Sequence, residues 1–120
     1  METPLLSEST HLHQEAMELV EQAALARRQG NLAAAQAFTK AAFKKEQAAA
    51  DLIAPNLDLE PSRSVLHRSA ATLAVECAEL RAAERLIGRA LAGNPPAEIA
   101  EELRDLLLTE IYPQRQLLSA

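Results

Sequence analysis

The chain is nearly devoid of aromatic residues. Phe38, Phe43 and Tyr112 are the whole set among 120 residues, too few to build the base-stacking platform that single-stranded nucleic acid requires. A single cysteine, Cys77, rules out an internal disulfide. Three glycines, at positions 30, 88 and 93, are too far apart to form a phosphate-cradling loop. Valine, isoleucine and threonine are sparse, which argues against a sheet. No run approaches the roughly 20 apolar residues of a spanning helix. The start, METPLLSEST, has neither the basic region nor the apolar core of a signal peptide, so a cytoplasmic protein without membrane contact is the expectation. Twelve Lys and Arg stand against 17 Asp and Glu, and a net charge of −5 argues against general affinity for nucleic acid.

What the chain does have is alanine. Twenty-five alanines, in a sequence that is 48% hydrophobic, favour helices that approach one another closely. A length of 120 residues fits one domain able to bury roughly two thirds of its unfolded surface. The fold class read from this is all-α.

Periodicity predicts five helices. The first runs from about Thr10, as N-cap, to Gln29, with Leu12, Ala16, Leu19, Val20, Ala23 and Ala26 on one stripe. Gly30 ends it, and Asn31 caps a second helix reaching Ile53, whose apolar stripe (Leu32, Ala35, Phe38, Ala42, Ala49, Leu52, Ile53) is interrupted at Lys45. Residues 54–61 hold two prolines and read as a loop. Ser62 caps a third helix with Leu66, Ala70, Leu73, Ala74 and Cys77 inward. The fourth spans about Leu80 to Ala92. Gly93 offers its left-handed cap, and the two prolines that follow suit the first turn of a fifth helix over 96–110. Pro113 ends helical order. The organisation is a flexible start at 1–9, a domain over 10–112 built from hairpins 10–53 and 62–92 with a capping helix, and a tail at 113–120.

An internal repeat links the halves at an offset of 48 residues, with Gly30-Asn31-Leu32-Ala33-Ala34-Ala35 against Ala78-Glu79-Leu80-Arg81-Ala82-Ala83. At the same offset Ala23, Ala26, Phe38 and Ala42 meet Ala71, Ala74, Leu86 and Ala90. These residues resemble the tetratricopeptide repeat, whose usual period is about 34 residues. The second unit supplies the small Ala71, the turn Ala78-Glu79-Leu80, the alanines Ala83 and Ala90 and the terminal Pro95, with Ile87 at the usual aromatic position. The first supplies Ala23, Gly30, Asn31, Leu32, Ala35 and Ala42, with Thr39 at the aromatic's place and an overrunning second helix that lengthens the period.

The resemblance covers about residues 12–109 and implies antiparallel hairpins stacked as a short right-handed superhelix of about five helices, the fifth being a solvating cap. One hairpin alone is also similar to a microtubule-interacting-and-transport-like three-helix bundle. Residues 63–107 are similar to uncharacterised bacterial helical proteins, which implies no activity. The implied function is a non-enzymatic protein-interaction module. The first helix of each unit would line the inner face, presenting Met17, Val20, Ala24, Arg27 and Arg28, then Val65, Arg68, Thr72, Val75 and Glu76. Such a face suits a peptide with apolar anchors and a carboxylate. The alternative is a self-associating helical bundle, a homodimer.

Other candidates for chemistry are poor. His11 and His13 diverge on a helix and lack a third ligand, so neither a metal nor a cofactor is expected. His67 reads as a half-buried packing residue and Cys77 as a small hydrophobe. Glu98, Glu101, Glu102 and Asp105 make a negative first turn for helix five. Arg81, Arg85 and Arg89 form a line along helix four, read first as a solvated ridge and second as a protein or anionic-surface contact. Lys40, Lys44 and Lys45 form another basic group. No catalytic residue is expected.

Overall fold

The computed structural model of the chain describes residues 4–119, and its regular elements are helical. Residues 1–3 and 120, parts of the expected flexible start and tail, lie outside the described residues. Four helices come first: α1 Pro4–Arg28, α2 Leu32–Ile53, α3 Ser62–Glu76 and α4 Leu80–Leu91. A fifth helical rod follows without a break, made of α5 Ala97–Leu106, a π turn Leu107–Ile111 and α6 Tyr112–Ser119. The described residues span 43 × 35 × 20 Å. No helix among the described residues is long and apolar enough to cross a membrane.

α1 and α2 pack along one another as an antiparallel hairpin, and the residues buried from α1 are all small: Ser9, Ala16, Ala23 and Ala26. Alanine contacts alone discriminate registers poorly. Three polar ties set this one. The Ser9 hydroxyl donates to Ala49 O (2.8 Å), His13 Nδ1 bonds both oxygens of the Glu46 carboxylate (2.9 and 2.8 Å), and Arg27 donates to Thr39 Oγ1 (3.1 Å). α2 then packs on α3, α3 on α4, and α5 on both α3 and α4. Leu66, Leu73, Leu86, Ile87, Leu103 and Ile111 supply the bulk of that core, with Ala70, Ala74, Ala83 and Ala90 spacing the helices.

Several expected boundaries move. α1 starts at Pro4, whose missing N–H costs nothing in a first helical turn, so residues 4–9 are helical rather than flexible. Thr10 lies inside the helix and returns its hydroxyl to Leu6 O instead of capping. Ser62 does not cap α3; the Glu60 carboxylate accepts from both the Ser64 amide (3.0 Å) and the Ser64 hydroxyl (2.8 Å). Pro113 does not end helical order, and the tail is α6. The wider π turn just ahead of Pro113 shifts the backbone pairing so that a residue without an N–H can be passed. Asn31 behaves as expected, accepting from the Ala34 amide (3.1 Å).

The two hairpin turns are built alike. Gly30 (φ 78°) and Ala78 (φ 60°) both take the left-handed conformation. At the first turn the Gly30 amide donates to Arg27 O and the Asn31 amide to Ala26 O; at the second, Ala78 donates to Val75 O and Glu79 to Ala74 O. Each partner is displaced by 48 residues from its counterpart, and both turns are the Schellman closure of a helix. Ala78 pays the left-handed strain that Gly30 escapes. Ala78→Gly should therefore raise the unfolding free energy by about 0.5–1 kcal/mol, the relief of strain less glycine's extra chain entropy. Urea denaturation measures this, and a loss of stability would contradict it.

Candidate functional site

Placing the two turns side by side opens a cleft of about 850 Å³, bounded by the end of α1, the start of α2 and the end of α3. That volume lies within the range of ligand-binding pockets. One wall is Arg27, Leu32, Ala33, Gln36, Ala37 and Lys40; the other is Glu76, Cys77 and Ala78. The helix-start geometry puts Leu32 outward, 68% exposed, although the sequence stripe places it inside. Arg27 is held in place by its bond to Thr39, whose own hydroxyl donates to Ala35 O (2.9 Å). Lys40 and Glu76 form no ion pair within the described chain, so a cation and a carboxylate stand unpaired on opposite walls. Burial pushes the Cys77 thiol above its ordinary pKa, Glu76 and Glu79 add to this, and Lys40 opposes it. These effects favour the protonated thiol over the thiolate.

Of the face expected from sequence, only Arg27 and Glu76 meet at this cleft. Val20 and Val75 pack against the core, and Met17, Ala24 and Val65 are half-buried. Arg28 and Thr72 are exposed, Thr72 returning its hydroxyl to Arg68 O. Arg68 is paired with Glu102, because α5 passes beside that side of α3. Direct packing between α1 and α3 is slight, since α2 lies against α3 instead.

A second polar constellation was not anticipated. Arg63 is 2% exposed, and its Nε–H donates to Ala54 O (2.7 Å) at the end of α2 while Nη2 donates to Arg89 O (3.1 Å) near the end of α4. One guanidinium thus serves the negative ends of two helices. Its Nη1 is buried and finds no hydrogen-bond partner. Gly93 lies over it, and a Cβ there would collide with Nη1. Gly93 is therefore not the expected left-handed cap: the capping residue of α4 is Ala92, right-handed, and the glycine makes room for Arg63.

His67 is fully buried rather than half-buried. Its Nδ1–H donates to Arg63 O (2.7 Å), and its Nε2 accepts from Arg89 Nε–H (2.8 Å). Arg89 Nη2 reaches Asp51 (2.7 Å). Burial, more than the adjoining arginines, holds the imidazole pKa down to about 4, so it is neutral in this tautomer.

Among the described residues no three His, Cys, Asp or Glu side chains are grouped as a metal site requires. Glu8 and His11, in the Glu-x-x-His spacing of helical metal sites, are both exposed on α1. Comparison with known proteins returns no match to a family model, a curated protein or a solved structure.

Proposed function

We propose that the chain is a non-enzymatic protein-interaction module, a cytoplasmic adaptor whose two hairpins stack in a tetratricopeptide-like way and whose turn-end cleft receives a peptide. The observation that carries this reading is the cleft itself: apolar side chains left exposed between two identically closed turns, with Lys40 and Glu76 unpaired on facing walls. A peptide with small apolar anchors, a carboxylate toward Arg27 and Lys40 and a cation toward Glu76 fits it. The stacked arrangement is supported by the repeated turn geometry.

Self-association is the second reading, favoured by Leu108, Tyr112 and Leu117, which lie exposed along the π turn and α6. One experiment separates the two. A partner captured from the native host is titrated against the wild type and against Ala37→Arg combined with Lys40→Glu, both changes at exposed sites. Affinity should fall at least about tenfold with circular dichroism unchanged. Undiminished affinity would place the interface elsewhere. Light scattering showing a dimer that Leu108→Glu with Leu117→Glu dissolves would favour the second reading.

A further inference from the structure

The outer side of α4 carries Arg81, Arg85 and Arg89, each one helical turn beyond the last. Arg89 is fixed from beneath by fully buried His67 and from the side by Asp51. Arg81 and Arg85 are exposed and have no ion-pair or hydrogen-bond partner within the described chain. Two grooves meet at Arg85. One, about 400 Å³, lies between α2 and α4 and is bounded by Gln47, Asp51 and Arg89; the other, about 370 Å³, is bounded by Arg81, Glu84 and Arg115. Arg115 and Glu84 are themselves paired.

We propose that this ridge docks an acidic helical segment of a partner protein, whose carboxylates at i, i+4 intervals engage Arg81 and Arg85. Successive ridge arginines rise about 6 Å along α4, the same step as carboxylates four residues apart on a second helix. The planar guanidinium suits bidentate pairing with carboxylate. Sign distribution selects protein over nucleic acid or lipid. Asp51 and Glu84 are already paired with Arg89 and Arg115, so the unpaired positive charge is confined to Arg81 and Arg85, one helical turn apart: it matches two carboxylates of a helix and falls far short of the basic track that a polyanion follows. No aromatic side chain lines either groove to stack a base. The whole chain carries a net charge of −5, so an acidic ligand is retained here only through local complementarity.

The test is fluorescence anisotropy with a labelled synthetic helix bearing Glu at i, i+4 and i+8 among Ala, Gln and Lys, and with its Glu→Gln counterpart. The acidic helix should bind the wild type, weaken at least about tenfold for Arg81→Glu with Arg85→Glu, and weaken similarly in about 0.5 M salt. Arg81→Gln with Arg85→Gln should fall between. Ala37→Arg with Lys40→Glu, in the turn-end cleft, should leave this binding unchanged, which keeps the ridge and the cleft separately testable. The proposal is overturned by equal binding of the Gln counterpart, by equal affinity of the charge-reversed variant with intact circular dichroism, or by tighter capture of a single-stranded oligonucleotide or phosphatidylserine vesicle at the same salt.

Discussion

Arg63→Met is expected to lower the unfolding free energy by about 3 kcal/mol. The substitution keeps length and apolar bulk but leaves Ala54 O and Arg89 O without their donor. Each buried, unpaired carbonyl costs about 1–3 kcal/mol, and loss of a cation at two helix ends adds to that. Removing the unpartnered Nη1 returns part of the loss. Gly93→Ala bears on the same contact from the other side. The guanidinium is planar and pinned at Nε and Nη2, so it cannot swing from a new methyl group without giving up those bonds. The expected cost is about 1–3 kcal/mol. With Met at position 63 the obstructing Nη1 is gone and Gly93→Ala should become nearly neutral. Urea denaturation of the two single variants and the double variant gives the coupling directly. Additive losses would mean that Gly93 and Arg63 do not depend on one another.

That pair also marks where sequence reading reaches its end. Gly30-Asn31 and Gly93-Asn94-Pro95-Pro96 both read as helix boundaries, because glycine, asparagine and proline act through their own backbone. The sequence suggests a left-handed cap at Gly93, whereas the glycine makes room for Arg63, thirty positions away in the chain. The helices of the second hairpin follow their apolar stripes closely: Leu66, Ala70, Leu73 and Ala74 are buried in α3, and Leu80, Ala83, Leu86, Ile87 and Ala90 in α4. The apolar stripe of α2 runs across Lys45, whereas the residue turned inward is Glu46, 0% exposed and paired with His13. Apolar periodicity cannot register a buried carboxylate, because its partner lies on another helix. The cleft was half visible for a related reason. Arg27 and Glu76 lie on the expected face, but most of the remaining lining comes from the start of α2, where Leu32 and Ala37 face solvent against their hydropathy.

Stability should fall as pH drops from about 6.5 to about 4, and His67 should account for about 3 kcal/mol of the fall. Its Nε2 accepts from Arg89 and its Nδ1–H donates to Arg63 O, so the neutral ring satisfies both neighbours. A second ring proton would set N–H against N–H at Arg89, in a buried place where Arg63 and Arg89 already bring two positive charges against the single carboxylate of Asp51. Burial is the larger cause, and together these hold the folded pKa at about 4 against an ordinary 6.5. Between those values the unfolded chain binds the proton and the folded chain does not, so the unfolding free energy rises with pH across that window. The contribution is complete above about pH 6.5 and gone by about pH 4; the distance between 6.5 and about 4 corresponds to about 3 kcal/mol. His67→Gln retains a polar side chain near Arg89 but cannot titrate. Every other titratable group is common to both proteins, so the difference between wild type and variant isolates His67. Denaturation midpoints measured from pH 7.5 to 4 should converge as pH falls, with the wild type the steeper of the two. Parallel curves would show that His67 takes up its proton equally well in the folded chain, and that the contact with Arg89 does not require the neutral ring.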